Sequence, residues 1–543
     1  VTLHLARTSA DPPPRTTEVT VRGDSATADV LSALLHQSGA TVSRFPGVDG
    51  EAAHVGTGGT ELTVSWAGPL HGGEVVDEAS AQAVCGPMHV HGRSTGAPAG
   101  LGLDYCATAA GVVGGTGLLA AVLAGRSEVT TSVAQAALLT VSQYLAAAGA
   151  PEGEAAPIGP GGPPFRSEDG VLFEIEALDP AVWQAFWARL DVPARAIGAG
   201  WRPFQFRYAT AAAPLPPELH EATTTRTFAE LTAHADASGM SICELYPYAR
   251  RQAEFVPLPA WELSTLDASS DRVRPGGDLP LSGLVVLEAG RRVQAPLAAH
   301  LLRLLGADVI RIEPPGGDPL RGVPPMCGEM SARWLALNRG KSAVEIDIKD
   351  PRDRDRLREL VRTADVFLHN WAPGKAEQLG LGAHDLVVVN PSLVFVHTSG
   401  WADRLPDAPM GTDFMAQART GLGELLRPSD EPPAPSLMTL LDVLGGLLGA
   451  HATVAALLHR ERTGRAIRCE SSLLAAADLL QLGAKGRPAP GFRRPARGTG
   501  GWRHEGVPVT DDLAAIVTDP RFADAVAIDT DRCPEVLTPW RFR

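Results

Sequence analysis

The chain has 543 residues, enough for roughly two to four domains of ordinary size. Apolar residues make up 44% and charged residues 20%, and Gly and Pro together stay below the roughly 25–30% share of low-complexity chains, which excludes disorder as the default. The 48 Lys and Arg against 62 Asp and Glu leave a formal charge of −14, a field that repels polyanions, so nucleic acid is not an expected partner and an anionic small molecule needs a local basic pocket.

Six cysteines (Cys85, Cys106, Cys243, Cys327, Cys469, Cys533) lie scattered without paired spacing. They read as reduced cytosolic thiols, with neither a disulfide framework nor a zinc site. Near the start, Arg7, Asp11 and a proline run stand where a signal peptide needs an apolar stretch, so a cytoplasmic location is expected. Tyr105 to Gly125 is uncharged over about the length of a membrane span. Its glycines and small polar residues suit a buried, closely packed helix, and no membrane association is expected.

Self-similarity organises the chain. Residues 28–45 (ADVLSALLHQSGATVSRF) align without a gap to 295–312 (APLAAHLLRLLGADVIRI), each a helix pattern, a glycine stop and a short β-branched strand. Ser65-Trp66-Ala67-Gly68 echoes Asn370-Trp371-Ala372-Pro373-Gly374, and Gly102-Leu103-Asp104-Tyr105 echoes Gly411-Thr412-Asp413-Phe414. The run from Thr130 resembles that from Arg468.

The expected organisation is therefore a first copy over 1–256, a linker over 257–280 and a second copy over 281–543. The first copy divides into a Rossmann-like part (1–160) and a smaller domain (163–256). The second divides into a Rossmann-like part (281–485) and a C-terminal tail (504–543). Copy 1 lacks about 40 residues ahead of its Trp-Ala-Gly, and copy 2 lacks a smaller-domain segment like 163–256.

In copy 2 the patterns alternate: strand (LVVLEAG), helix, strand (DVIRIE), strand (SAVEIDI), helix (353–362), strand (ADVFLHN), strand (LVFVHTSG). This predicts an α/β fold with a doubly wound parallel sheet, whose ligands sit at the carboxyl ends of the strands. Those ends are Glu288–Gln294, Glu313–Arg321, His369–Gly374 and Thr398–Trp401. No GxGxxG follows the first strand, so NAD is not expected.

Asn338-Arg339-Gly340-Lys341, with Arg333 nearby, could hold phosphates through backbone N–H groups and point charge, or form a solvated turn. Trp371 could stack on a planar ring, or belong to the core. Asp442 is the most distinctive residue: a lone carboxylate in SLMTLLDVLGGLLGAHATVAALL must be paired, hydrogen-bonded or open to a pocket. Gly445 and Gly446 follow it and permit close approach. A helix N-cap explains the same Asp equally well.

Residues 281–476 resemble the family III CoA-transferases, the group of formyl-CoA transferase, the carnitine CoA-transferase and the α-methylacyl-CoA racemases. The resemblance rests on LSGLVVLEAG, LGADVIRIEPPGGDPLR, LNRGKSAVEIDIK, ADVFLHNWAPGKAEQLGL, NPSLVFVHTSGW, GTDFMAQARTGL, LLDVLGG and AALLHRERTGR, in family order. The last 38 residues resemble the family's closing segment, and copy 1 resembles the family more weakly, with Gly161 and Gly162 near its glycine loop.

The resemblance implies coenzyme A as acyl-CoA substrate, with no metal, NAD or ATP, and an acyl-CoA donor and a carboxylic-acid acceptor as partners. Asp442 falls at the family's nucleophilic aspartate; Gln294, Ala295, Asn338, Arg339, Gly340, Lys341, Asn370, Trp371, Ala372 and Gln378 fall at CoA-contacting positions. Gln378 replaces a usual basic residue and Pro314 an Arg beside the adenine, for which Lys375 or Arg311 could compensate. Gly161, Gly162 and Gly445 are candidate oxyanion donors, with Thr412 and Asp413 at the substrate side.

The implied reaction is CoA transfer between acids through an aspartyl anhydride and an aspartyl-CoA thioester. An acyl-CoA racemase or isomerase and an inactive CoA-binding or assembly protein are the alternatives. The racemase group carries a His where Thr412 stands, and a hydroxyl cannot serve as general base near neutral pH. Aligning Ala120-Ala121 with Ala455-Ala456 sets Ala107 opposite Asp442, which makes copy 1 degenerate. The family's interlocked homodimers imply a pseudo-dimer within this chain, with 163–256 completing a site around Asp442.

Overall fold

In the computed structural model, residues 17–154, 158–254, 259–269, 276–482 and 494–543 are described. Each copy opens with a strand, and the helix and second strand that follow are those the aligned repeats predict. Ser25 accepts a hydrogen bond from Ala28 N to start the helix Ala26–Gln37, whose Val30, Leu31 and Leu34 face the core. The counterpart Gln294–Leu304 buries Leu297, Ala298, Leu301 and Leu302.

The second copy forms a seven-stranded sheet in the order Ser342–Glu345, Asp308–Glu313, Val285–Ala289, Val366–His369, Val394–Ser399, Arg465–Ser472, Trp261–Ser269. The first six strands are parallel and Trp261–Ser269 is antiparallel. The first copy forms a six-stranded sheet in the order Thr41–Phe45, Glu18–Arg22, Glu51–Gly56, Glu61–Ser65, Glu128–Ser132, Arg541–Phe542. Placed side by side, the two sheets correspond strand for strand, with Ser342–Glu345 the extra edge of the second. Mixed α/β architecture in two repeats is thus observed.

The sheets correct three expectations. Residues 261–269, expected as linker, form the edge strand of copy 2, and Arg541–Phe542 leaves copy 2 to become the edge strand of copy 1. Glu51–Gly56 runs antiparallel to Glu18–Arg22, where its counterpart Val366–His369 runs parallel to Val285–Ala289, because shortened copy 1 has no crossover helix there. Finally, Trp66 follows Glu61–Ser65, the strand beside Glu128–Ser132; its counterpart is therefore Val394–Ser399, and Trp66 matches Trp401's neighbourhood rather than Trp371's.

Two long apolar helices, Tyr105–Ala124 and Leu440–Thr463, meet the length and hydropathy of membrane spans, yet both lie inside the protein. They cross where Gly115 leaves room for the His451 ring: a Cβ there would lie 3.1 Å from it. Gly446 and Gly449 let Leu440–Thr463 approach Gln294–Leu304 and the sheet, with positions for a Cβ only 2.8 Å from the Gln294 carbonyl and 2.8 Å from Thr398 Cγ2.

The smaller domain hangs on a three-stranded antiparallel sheet (Phe165–Arg166, Leu172–Glu176, Ser241–Glu244) and an aromatic core of Phe165, Phe173, Trp183, Phe186, Trp187 and Phe204. It is fastened to copy 2 by backbone donors. Tyr246 N donates to the Ala418 carbonyl (2.9 Å), Tyr248 N to Glu424 (2.7 Å) and Met410 N to Ser241 Oγ (2.9 Å).

Candidate active site

Asp442 occupies the first turn of Leu440–Thr463, where unpaired backbone N–H groups need acceptors. The residue before the helix, Thr439, has φ +52° and supplies no cap; its hydroxyl lies 3.4 Å from Tyr144 Oη instead. The cap comes from another helix. Asp413 Oδ2 accepts from Leu441 N (2.7 Å) and Asp442 N (2.8 Å), while Gln417 donates to Asp413 Oδ1. Copy 1 also braces this turn, since Tyr105 Oη donates to the Leu440 carbonyl (3.1 Å).

The two aspartates are therefore unlike. Asp413 is buried and fully bonded. Asp442 is part-buried, and its carboxyl has no hydrogen-bond or ion-pair partner among the described residues. Burial, reinforced by the charge of Asp413, pushes Asp442 up to about 8, and only Arg292 among the charges acting on it opposes that rise. Burial likewise raises Asp413 to about 6 despite its hydrogen bonds.

Copy 1 carries the same cap with an alanine, Ala107, at the place of Asp442. Glu78 accepts from Cys106 N (2.9 Å) and Ala107 N (2.8 Å), and Gln82 Nε2 donates to it (2.8 Å). The separations along the chain, 28 and 29 residues, are those from Asp413 to Leu441 and Asp442. Gln82 reaches Leu101 N across 19 residues, as Gln417 reaches Ser436 N. Ala107 thus stands opposite Asp442, but the counterpart of Asp413 is Glu78, a correction to Asp104. Ala81-Gln82-Ala83 against Ala416-Gln417-Ala418 was the pattern that could have shown it.

The smaller domain of copy 1 faces this site. Arg207 pairs with Glu176 (3.2 Å) and Glu174 (3.7 Å), and its guanidinium lies 4.4 Å from the ring centre of Phe414, beside Asp413. The Tyr208 carbonyl accepts from Tyr144 Oη (3.0 Å), and the Arg292 guanidinium sits 5.2 Å from the Tyr208 ring centre. Glu176, Arg207, Tyr208 and Arg292 carried no motif, and sequence reasoning missed their convergence.

Gly161 and Gly162 line a cavity of about 390 Å³ with Pro432, Pro435 and Leu437, five residues before Asp442. The Gly161 carbonyl accepts from His220 (3.0 Å) and from Leu215 N (3.2 Å). Gly445 lies one helical turn beyond Asp442 and faces Gln294, whose Nε2 would be 2.9 Å from an added Cβ. Gln294 donates to the Ser399 carbonyl (3.3 Å), and Ala295 is buried beside it. Thr412 precedes the helix Asp413–Arg419, with its Oγ1 buried and unbonded among the described residues.

In the expected phosphate cradle the cationic side chains are paired with carboxylates. The Lys341 side chain is buried and donates to Glu288 (2.8 Å), Asn338 Oδ1 (2.9 Å) and the Pro296 carbonyl (2.7 Å); burial lowers it to about 8. Arg311 joins the same cluster through Glu288 (2.5 Å), Asp318 (2.8 Å) and Asn338 (2.8 Å), so it is not free to replace a missing adenine-side cation. Arg339 pairs with Asp529 (2.7 Å) and Glu535 (3.3 Å), and Gly340 has φ +72° with the Arg303 side chain where a Cβ would stand. Asn370 grips Arg291, accepting from its N–H (2.9 Å) and donating to its carbonyl (3.0 Å). Trp371 packs against Phe367 and His369, while Ala372 and Gln378 are exposed.

Two related α/β halves, with an unpaired carboxyl at the start of a buried helix and a smaller domain closing over it, define a class. The chain belongs to CoA-transferase family III, which matches it twice, at residues 66–254 and 281–509. It is 35% identical over 210 residues to succinyl-CoA:glutarate CoA-transferase of Mus musculus, covering 38% of this chain and 48% of that one. It is 34% identical over 197 residues to acetyl-CoA:oxalate CoA-transferase of Acetobacter aceti, covering 36% and 51%. A solved CAIB/BAIF family protein from Brucella suis is 29% identical, with 42% of this chain and 65% of that one covered and a TM-score of 0.38. The chain spans about half the length of the curated relatives it matches.

Proposed function

We propose that this protein transfers coenzyme A from an acyl-CoA donor to a carboxylic acid, with Asp442 as nucleophile. The observation that carries this reading is the contrast between Asp413, bonded on both oxygens, and Asp442, whose carboxyl is unbonded among the described residues at the same helix start. An Asp442 oxygen attacks the thioester carbonyl and the C–S bond breaks, giving a mixed anhydride and CoA thiolate. The thiolate attacks the aspartyl carbonyl, and the donor acid leaves as its carboxylate. An acceptor carboxylate then attacks the aspartyl thioester, and the released thiolate takes the acceptor's acyl group, restoring Asp442. One thioester is made for each one broken, so no external energy source is required.

Ionised Asp442 is the reactive form, and the helix start favours it electrostatically. The matched relatives include enzymes named for glutarate and oxalate, and these acids are the first acceptors to try. The paired sheets support a pseudo-dimer in which copy 1 completes the site, and the buried free thiols suit the cytoplasm. A panel of acyl-CoA donors and acids, assayed by exchange of the CoA between them, tests the reading. Wild-type protein should exchange and Asp442→Ala should lose at least 10³-fold; equal rates would refute it.

A further inference from the structure

Free acids must approach Asp442 as carboxylates, yet Asp413 and Glu176 already surround it with negative charge. A site that admits such an acid needs a cation aimed at the same space. Lys341, Arg311, Arg339 and Arg207 are all held by carboxylates. Arg292 is not: it is half-buried, and no ion pair or hydrogen bond holds its guanidinium among the described residues.

Its place is fixed from three sides. Asn370 clamps the backbone of Arg291, one residue earlier, and Arg292 itself has φ +62°, a costly conformation for a side-chain-bearing residue. Two residues later, Gln294 packs on Gly445, one turn along the helix from Asp442. Across the cleft its guanidinium faces the Tyr208 ring, and Tyr208 shares the Tyr144 hydroxyl with Thr439, three residues before Asp442. The neighbours of Arg292 and Asp442 thus meet twice, at Gln294–Gly445 and at Tyr208–Tyr144–Thr439, and the charge of Arg292 reaches the Asp442 carboxyl.

We infer that Arg292 receives the carboxylate of the free acid, both the donor acid as it leaves and the acceptor acid as it arrives, and turns it toward the aspartyl carbonyl. A guanidinium fork matches a carboxylate in shape and charge, and microscopic reversibility requires the two acids to use one position. The inference rests on the transfer reading for the timing of binding, but acid binding itself can be measured without turnover.

Calorimetric titration of glutarate and of acetate into the full chain tests it, comparing wild type with Arg292→Gln and Arg292→Lys. Arg292→Gln should weaken binding of both acids at least 10-fold and Arg292→Lys should recover part of the loss. In turnover the KM for the acid should rise with little change in the KM for acyl-CoA. Equal acid binding by wild type and Arg292→Gln, no binding by wild type, or a rise confined to the acyl-CoA KM overturns the assignment. Acid binding through Arg292 with no label on Asp442 after acyl-CoA treatment would instead sink the transfer reading alone. A label on Asp442 with acid binding indifferent to Arg292→Gln would sink only the role of Arg292.

Discussion

Asp442 and Asp413 show how one side-chain type takes two roles from its surroundings. Asp413 is consumed by the helix start, whereas Asp442 keeps its oxygens free and rises to about 8 through burial and its neighbour's charge. A carboxyl raised on folding holds its proton longer in the folded chain, so its contribution to stability falls as pH climbs from the ordinary carboxylate range towards 8. Asp442→Asn should therefore raise the melting temperature more at pH 8 than at pH 5, measured by thermal unfolding at both. Asp413→Asn removes the like charge, so Asp442 ionises sooner and the acid limb of the pH profile of kcat/KM should move to lower pH; an upward move would contradict the coupling. Asp442 was legible because a lone carboxylate in an apolar run demands an explanation. The pairing of Lys341 was not legible, because its counter-charge, Glu288, lies 53 residues away and no local spacing announces it. Arg292 lies in the strand end Glu288–Gln294 where ligands were expected, but only the folded loop shows that none of the described residues pairs with it.

Both copies start their central helix with an acid and a glutamine on a separate short helix. In copy 1 the device stands with an alanine at the place of Asp442, and Glu78 holds Cys106 N and Ala107 N. Glu78→Ala should cost about 2–3 kcal/mol in denaturant unfolding, because two buried backbone donors lose their acceptor, while Asp442 remains chemically competent. Gly446→Ala should cost about 1–3 kcal/mol, since its Cβ would stand 2.8 Å from a backbone carbonyl that cannot turn aside. The strand–helix alternation of copy 2 was legible because its period is local. The antiparallel turn of Glu51–Gly56 and the strand at Trp261–Ser269 were not, because each depends on what it meets across the sheet.

Across the whole molecule, the segment after copy 1 and the end of copy 2 each supply the last strand of the other copy's sheet, and copy 1 supplies the smaller domain that faces Asp442. Trp540 anchors one exchange, donating to the Val113 carbonyl (2.9 Å) and filling the space that Gly117 leaves. Residues 276–543 expressed alone should therefore be insoluble or inactive, since the sheet edge beside Arg465–Ser472 and the Tyr105 and Tyr144 braces are lost. A soluble, fully active fragment would remove copy 1 from the site. The duplication was legible from aligned motifs, but the exchange joins segments some 200 and more residues apart, and only the fold brings them together.

The account turns on acylation of one carboxyl. The most direct measurement treats the intact protein with an acyl-CoA, traps with hydroxylamine or borohydride, and locates the modified residue by peptide mass spectrometry. A single modified carboxyl is expected at Asp442, absent from untreated protein and from Asp442→Ala. An unmodified Asp442 in protein that nevertheless exchanges CoA between acids, or a label on another residue that survives Asp442→Ala, would contradict it.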